Sequence, residues 1–410
     1  MKGLLTFIIA FFFCQSLVAQ IPNTWKRVSD LGSDTTGNGL KRERAVAFEL
    51  NGYGYVGTGV DTAETVLKDF WKYDVASNSW SQVADLPGSI RRNAVGFSID
   101  NYGYVGTGMD SVSASAPMSS KLNDFWQYNP FSNSWVQKSN FPGAGGFGIY
   151  FATAFTIDSK GYVCCGKIGP NNYSNQLWEY KPITDQWTQL TNFPGGVRYQ
   201  MSSFSIGHNA YIGWGVDQDM YRKDVWEFSA ATNQWTQKQD FPASVRGGAM
   251  TFTLGQRGFI CMGTNGGLLD DLWEYNPYTD NWSSKAPYGG SRRKNGVAFT
   301  INGKAYVGTG KGNSGKKASF QEYNPSAILS IDEITANISV YPNPVVDVIN
   351  IEVNSYDVKV LELFSSYGRK VLSTPVTSTI DANNLSSGVY ILAAKNESGQ
   401  IISKQKLIIQ

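Results

Sequence analysis

The chain is short of the residues that most often hold metals or carry acid–base chemistry. It has one histidine and four cysteines in 410 residues. A lone His208 excludes a multi-histidine metal centre. A Ser-His-Asp triad would have to be built on the Gly207-His208-Asn209 turn, a poor setting for one. No metal and no cofactor is therefore expected. Cys14 falls in an N-terminal apolar run, which leaves Cys164, Cys165 and Cys261 for the body of the chain. Three cysteines make no disulfide framework, and all three are expected as buried thiols. Charge is also scarce, at 17% Asp, Glu, Lys and Arg with a net charge of +2. With no long basic run, nucleic acid is excluded as a partner. After the first residues nothing is apolar for long enough to span a bilayer, so no transmembrane segment is expected in the mature chain.

The one apolar run, Leu4 to Phe13, follows Lys2 and ends in small residues at Ser16 and Ala19. That order is a secretory signal peptide over residues 1–19. It places the mature protein outside the inner membrane.

What the sequence has in abundance is glycine (43 residues) and aromatic side chains (14%). This composition suits short strands joined by tight turns. The aromatics recur in order. One Trp stands nine residues before another in Trp71/Trp80, Trp126/Trp135, Trp178/Trp187, Trp226/Trp235 and Trp273/Trp282. The second Trp repeats at intervals of 55, 52, 48 and 47 residues. Upstream of each pair lie an apolar strand, a turn and an aromatic strand ending in Gly, and this part occurs six times, at Gly59, Gly108, Gly166, Gly215, Gly263 and Gly310. A period near 50 residues signals a repeat architecture. Each unit reads as four strands a to d; in the second these are Asn93 to Ile99, Gly103 to Gly108, Asp124 to Tyr128 and Ser134 to Lys138. The sixth copy stops near Tyr323 without a Trp strand, whereas Thr24-Trp25-Lys26-Arg27-Val28 precedes the first copy and has the character of strand d. The N-terminal strand is thus expected to complete the last unit and close a six-bladed all-β propeller over residues 20–325.

The recurring Arg at strand a (Arg44, Arg92, Arg198, Arg246, Arg293), the Asp before strand c (Asp69, Asp124, Asp224, Asp271), the following aromatic and the strand-d Trp resemble the Kelch family of propellers. Two features depart from that family's pattern. A residue separates the paired glycines, as in Gly57-Thr58-Gly59, and the third copy has Cys164-Cys165-Gly166 with no matching Arg. Some Kelch-like propellers are copper oxidases with paired His ligands, and a single histidine excludes that chemistry.

A linker over residues 326–338 leads to a tail, 339–410, of short alternating strands expected at Val348 to Val353, Val358 to Phe364, Gly388 to Ala393 and Ile401 to Ile409. About 70 residues of such strands predict a small β-sandwich. The Tyr341-Pro342-Asn343-Pro344 segment, the Tyr367-Gly368-Arg369 turn, Leu385-Ser386-Ser387-Gly388-Val389-Tyr390 and the closing Lys404 to Ile409 strand resemble the type A C-terminal sorting domain of type IX secretion. The resemblance implies the secretion machinery as a partner. It also implies export through the periplasm of a Bacteroidetes-type bacterium to the surface or the medium.

In an up-and-down blade the a–b and c–d turns share one face, and the longer, dissimilar b–c loops lie on the other. Long loops on a rigid frame are where binding concentrates. The five arginines start the innermost strands on that face, where a positive ring would bind a carboxylate, sulfate or phosphate group. The alternative is that each Arg pairs with a blade acid or a loop carbonyl and serves the repeat. Asp61, Asp110 and Asp217 follow strand b on the same face and are candidate polar groups, or ordinary turn residues. The Trp pairs are expected between blades rather than on a sugar; Trp214, which breaks the Thr-type position of strand b, either faces the channel or fills it. The reading is an exported binding propeller for a glycan or a surface protein. A metal-independent sugar epimerase or mutarotase of the Kelch-like type, which would need only Asp, Glu, Arg or Tyr groups, and a non-catalytic scaffold are the alternatives.

Overall fold

The computed structural model describes residues 23–33, 38–113, 117–325, 338–353, 358–365, 370–397 and 401–410. The expected signal segment, nearly all of the expected linker, and the expected Tyr367-Gly368-Arg369 turn lie outside them. The chain divides into two compact units, Met1–Ser326 and Ala327–Gln410. No α-helix occurs among the described residues.

The first unit holds six four-stranded antiparallel sheets, each in simple up-and-down order. The second, for example, is Val95–Ile99, Tyr102–Gly106, Phe125–Asn129 and Ser134–Lys138. The sixth takes its fourth strand from the other end of the chain. Thr24–Val28 pairs antiparallel with Phe320–Asn324, Trp25 opposite Tyr323.

Strand a alternates buried and half-buried residues, whereas strand b is buried almost throughout. The cause is packing between sheets. A Phe on strand a presses onto strand b of the next sheet, which has room only for Gly or Ala: a Cβ at Gly103 would lie 2.4 Å from the Phe48 ring, and one at Gly54 would lie 2.2 Å from Phe299. The glycine that opens strand b is thus dictated by the neighbouring sheet.

Two rings of backbone hydrogen bonds join the sheets. In the inner ring each residue at the start of strand a donates to its predecessor's carbonyl: Asn93 to Arg44, Phe151 to Asn93, Gln200 to Phe151, Gly248 to Gln200, Asn295 to Gly248 and Arg44 to Asn295, at 2.9–3.2 Å. In the outer ring the glycine after strand b donates to the next sheet: Gly59 to Arg91, Gly108 to Ile149, Gly166 to Arg198, Gly215 to Arg246, Gly263 to Arg293 and Gly310 to Arg42. Those glycines have φ of 80–112°, and a Cβ at Gly108 would meet the Arg92 carbonyl at 2.8 Å. Both conformation and space therefore require glycine there.

At the periphery, Asn23, Asn78, Asn133, Asp185, Asn233 and Asp280 each accept a hydrogen bond from a backbone N–H of a neighbouring sheet. Asn23 fills this place in the sixth sheet, and the Tyr323 hydroxyl donates to it.

The second unit has a three-stranded sheet (Ile338–Tyr341, Val348–Val353, Thr379–Asp381) and a four-stranded one (Lys370–Pro375, Val360–Ser365, Gly388–Lys395, Ile401–Ile409). They share one apolar core that includes Ile349, Ile351, Leu361, Leu363, Leu392 and Leu407. Asn343 stitches the Tyr-Pro-Asn-Pro segment to the last strand: its amide donates to the Lys406 carbonyl and its Oδ1 accepts from the Ile408 N–H. The Tyr390 hydroxyl donates to the Ser386 carbonyl.

Candidate functional site at the axial mouth

The arginines expected at the mouth serve mainly as a frame. Arg198 and Arg246 are fully or nearly fully buried, each in a two-pronged clamp on Asp224 or Asp271, and each also donates to a carbonyl sixteen residues on, of Trp214 or Met262. Arg293 is as deeply buried and donates to Thr309, Ser319 and Ser291. In the first two sheets the same position belongs to Arg42 and Arg91, clamped on Asp69 and Asp124, not to Arg44 and Arg92. The sixteen-residue spacing from Arg to the residue before the second glycine marks this position in the sequence, and the adjacent basic residues obscure it. The third sheet has Ile149 and Gln176 in place of Arg and Asp, and no such pair.

Each clamped Asp also accepts from the first Trp of a pair, as Asp124 does from Trp126 at 2.6 Å. Burial would raise the Asp69 pKa, but the hydrogen bonds and charge of Arg42 outweigh it, with help from Trp71, and hold the carboxyl below its ordinary value. The second Trp lies between sheets, as Trp135 does against Phe70. Its Nε1–H donates to the Ala84 carbonyl of the preceding sheet's outgoing loop.

The two register-shifted arginines occupy a different layer. Arg92 is buried and donates to the Ser111 and Val112 carbonyls, shaping its b–c loop. Arg44 stands in the inner hydrogen-bonded ring, with its guanidinium 5.2 Å from the centre of the Phe151 ring. Phe151 belongs to the third sheet, so the Arg44 side chain reaches past the second sheet's position. Beside it lies the buried Glu43, whose carboxylate is 3.6 Å from Arg44 Nε and accepts from Asn295 Nδ2 at 3.1 Å. Lys294 is next to Asn295 and bridges antiparallel to Lys311. Burial lowers the Lys294 ammonium's pKa from the ordinary lysine value; Glu43 opposes this shift, and Arg44 and Lys311 reinforce it. Like charges opposite one another on paired strands repel. Lys294 thus has two positive neighbours, Arg44 and Lys311, and one carboxylate, Glu43, which also lies beside Arg44. In the same inner ring the buried Asn93 leaves its Nδ2–H₂ without an acceptor among the described residues.

Asp61, Asp110 and Asp217 sit at equivalent points, one residue beyond the bridge at the base of the b–c loop, on three different sheets. Asp61 caps its own turn, accepting from the Ala63 and Thr65 N–H groups. Asp217 pairs with Arg222 at 2.7 Å. Burial lowers the Lys121 ammonium's pKa from the ordinary lysine value, and the nearby Asp110 opposes that shift in part. Trp214 neither faces nor fills the channel. It is fully buried between the fourth and fifth sheets against Phe241 and Trp282. The three cysteines are free and buried. His208 is exposed on the opposite face, 2.6 Å from Asp158. Among the described residues no group of three or more His, Cys, Asp and Glu side chains could hold a metal ion, and no helix could cross a membrane.

Residues 147–310 match the KLHDC2/KLHL20/DRC7 Kelch-repeats domain, and residues 339–410 match the Secretion system C-terminal sorting domain. No curated protein matches the chain. A solved structure described as "Structure of YjhT" is similar at 17% identity with a TM-score of 0.58, over 76% of this chain and 98% of that one. The chain therefore carries Kelch repeats on a propeller-type all-β fold. It ends in a type IX sorting domain, which directs export to the surface or the medium in Bacteroidetes-type bacteria and implies contact with that secretion machinery.

Proposed function

We propose that the mature protein is a closed six-bladed propeller that binds an anionic group of a glycan or surface partner at its axial mouth, without catalysis. The six four-stranded sheets, the pairing of Thr24–Val28 with Phe320–Asn324 and the unbroken inner ring of six backbone hydrogen bonds support closure. The observation that carries the binding reading is the gathering of Arg44 and Lys311 about Lys294, with the Glu43 carboxylate beside Arg44 and Lys294 and engaged by Asn295. A carboxylate or sulfate held there would relieve the repulsion and gain charge-assisted hydrogen bonds. Arg44 is the ligand contact, with Asp61, Asp110 and Asp217 as loop positions on the same face. Arg92, Arg198, Arg246 and Arg293 hold the frame. The signal segment and the sorting domain together support a route through the periplasm.

The full exported chain, screened against acidic and neutral oligosaccharides, should bind acidic ones. Arg44→Ala or Lys311→Ala should weaken that binding about tenfold or more, the scale of one charge-assisted contact. Binding should also fall as salt is raised. Unchanged affinity in both variants would sink the reading.

The buried Glu43 beside Lys294 favours one second reading, a metal-independent sugar epimerase or mutarotase with these groups as acid and base. Faster anomer exchange with wild-type protein than with Glu43→Gln, followed by NMR, would support it. Equal rates would exclude it.

A further inference from the structure

The third sheet differs from the rest. Its b and c strands, Lys160–Gly169 and Asn172–Lys181, run ten residues each where the other b and c strands run five. The extra length carries Lys167–Gly169 and Asn172–Ser174 past the sheet onto the long-loop face. Beside them the fourth sheet puts up its own small hairpin, Val216–Asp217 paired with Met220–Tyr221. Its two turn residues, Gln218 and Asp219, have φ of 44° and 69°. A two-residue turn of this kind usually takes Asn and Gly; holding Gln and Asp there costs backbone strain, which tends to persist where side chains are needed.

A cleft of about 460 Å³ opens between the two hairpins, lined by Asn171, Asn172, Tyr173, Val197, Gln218 and Asp219. The rings of Tyr173 and Tyr199 stack at 5.3 Å, within 7° of parallel. The Lys167 ammonium lies 5.0 and 4.4 Å from their centres and makes no ion pair among the described residues. Asp219 accepts from the Tyr199 hydroxyl. The side-chain amides of Asn171, Asn172 and Gln218 make no hydrogen bond to the described protein. The sixth sheet has a comparable small hairpin, Lys311–Gly312 with Gly315–Lys316, but among the described residues only the third sheet has b and c strands of this length and a stacked Tyr pair under a lysine, so the repeat does not need them.

We infer that this cleft is a subsite for an uncharged pyranose ring, with Tyr173 as the stacking surface and the three amides and Asp219 taking hydroxyl groups. A pyranose offers an apolar C–H face flanked by hydroxyls, the complement of an aromatic ring edged by amides. Tyr173 is rigid and held by Tyr199 and Lys167, so little conformational entropy is lost on stacking. The inference rests on the glycan reading above and extends it. The ligand is an oligosaccharide with a neutral residue beside its acidic one, laid from the axial mouth towards the third and fourth sheets.

The test uses the full exported chain and two probes, a uronic acid monosaccharide and an oligosaccharide alternating that acid with neutral hexose. Titration calorimetry is run on wild type, Tyr173→Ala, Tyr173→Phe and Arg44→Ala, with thermal unfolding as the folding control. The expected result is tighter oligosaccharide than monosaccharide binding. Tyr173→Ala should remove the difference, a loss of about tenfold or more, Tyr173→Phe should keep it, and monosaccharide affinity should be equal in wild type and both Tyr173 variants. Oligosaccharide affinity unchanged in a folded Tyr173→Ala protein overturns the subsite, even if Arg44→Ala still weakens binding. Binding that responds to Tyr173→Ala but not to Arg44→Ala upholds the subsite and overturns the axial reading. Binding of neither probe, nor of any neutral oligosaccharide, overturns both.

Discussion

At the scale of single residues the sheets are held by buried arginines whose donors reach carboxylates and loop carbonyls. The Arg246 side chain has no exposed surface, and its donors go to Asp271, Met262 and Ser244. Removing it would leave a partly buried carboxylate and a loop carbonyl without partners. Arg246→Ala is therefore expected to lower stability by about 3 kcal/mol, measured by urea unfolding. The Arg42–Asp69 clamp has a pH signature. The folded-state pKa of Asp69 lies below the ordinary 3.8. Its contribution is then present above that value and is lost as pH falls through the folded pKa. The stability gap between wild type and Asp69→Asn should be full at pH 7 and should shrink below about pH 4, since a protonated Asp no longer differs much from Asn. A gap that stays constant down to acid unfolding would mean the pair adds nothing through its charge.

At the scale of elements, each strand is shaped by the sheet beside it. Strand b opens on Gly or Ala because the neighbour's strand-a Phe takes the space, and the strand-d Trp bridges to the previous sheet. Trp135 touches Tyr128 in its own sheet and Phe70 in the preceding one. Trp135→Ala should cost about 3 kcal/mol, read from denaturant unfolding, because contacts to both sheets go at once. A loss under about 1 kcal/mol would place the residue at the surface instead. The sugar-stacking role denied to these tryptophans is proposed instead for Tyr173, in the part of the third sheet's c strand that extends beyond the repeat.

At the scale of the whole molecule, the N-terminal strand is expected to act as a clasp. It shares a sheet with residues almost three hundred positions away and supplies Trp25 and Asn23 to the periphery. A chain beginning at Ser29 would leave Phe320–Asn324 as an unpaired edge beside an unfilled Trp site. It should associate or lose its single cooperative unfolding transition, visible by size-exclusion chromatography and calorimetry. A truncated chain that stays monomeric and unfolds as sharply as wild type would refute the clasp.

The sequence by itself determined the repeat, the strand order within each unit, the N-terminal strand as partner of the last unit, and the separate tail. All of these follow from local patterns of aromatic, glycine and turn residues that recur at fixed spacing. It also carried the constant step from each framework Arg to its loop carbonyl, but the doubled basic residues at Arg42/Arg44 and Arg91/Arg92 made two neighbours indistinguishable by composition. Only the tertiary structure decided between them, since Arg42 and Arg91 point into the clamps while Arg44 joins the inner ring and Arg92 shapes its b–c loop. The cluster of Arg44, Glu43, Lys294 and Lys311 was equally hidden. Its members lie some 250 residues apart and meet only because the first and sixth sheets are neighbours. The cleft around Tyr173 needed the fold as well. Two hairpins of unrelated sequence make it, and no spacing along the chain records that they stand side by side.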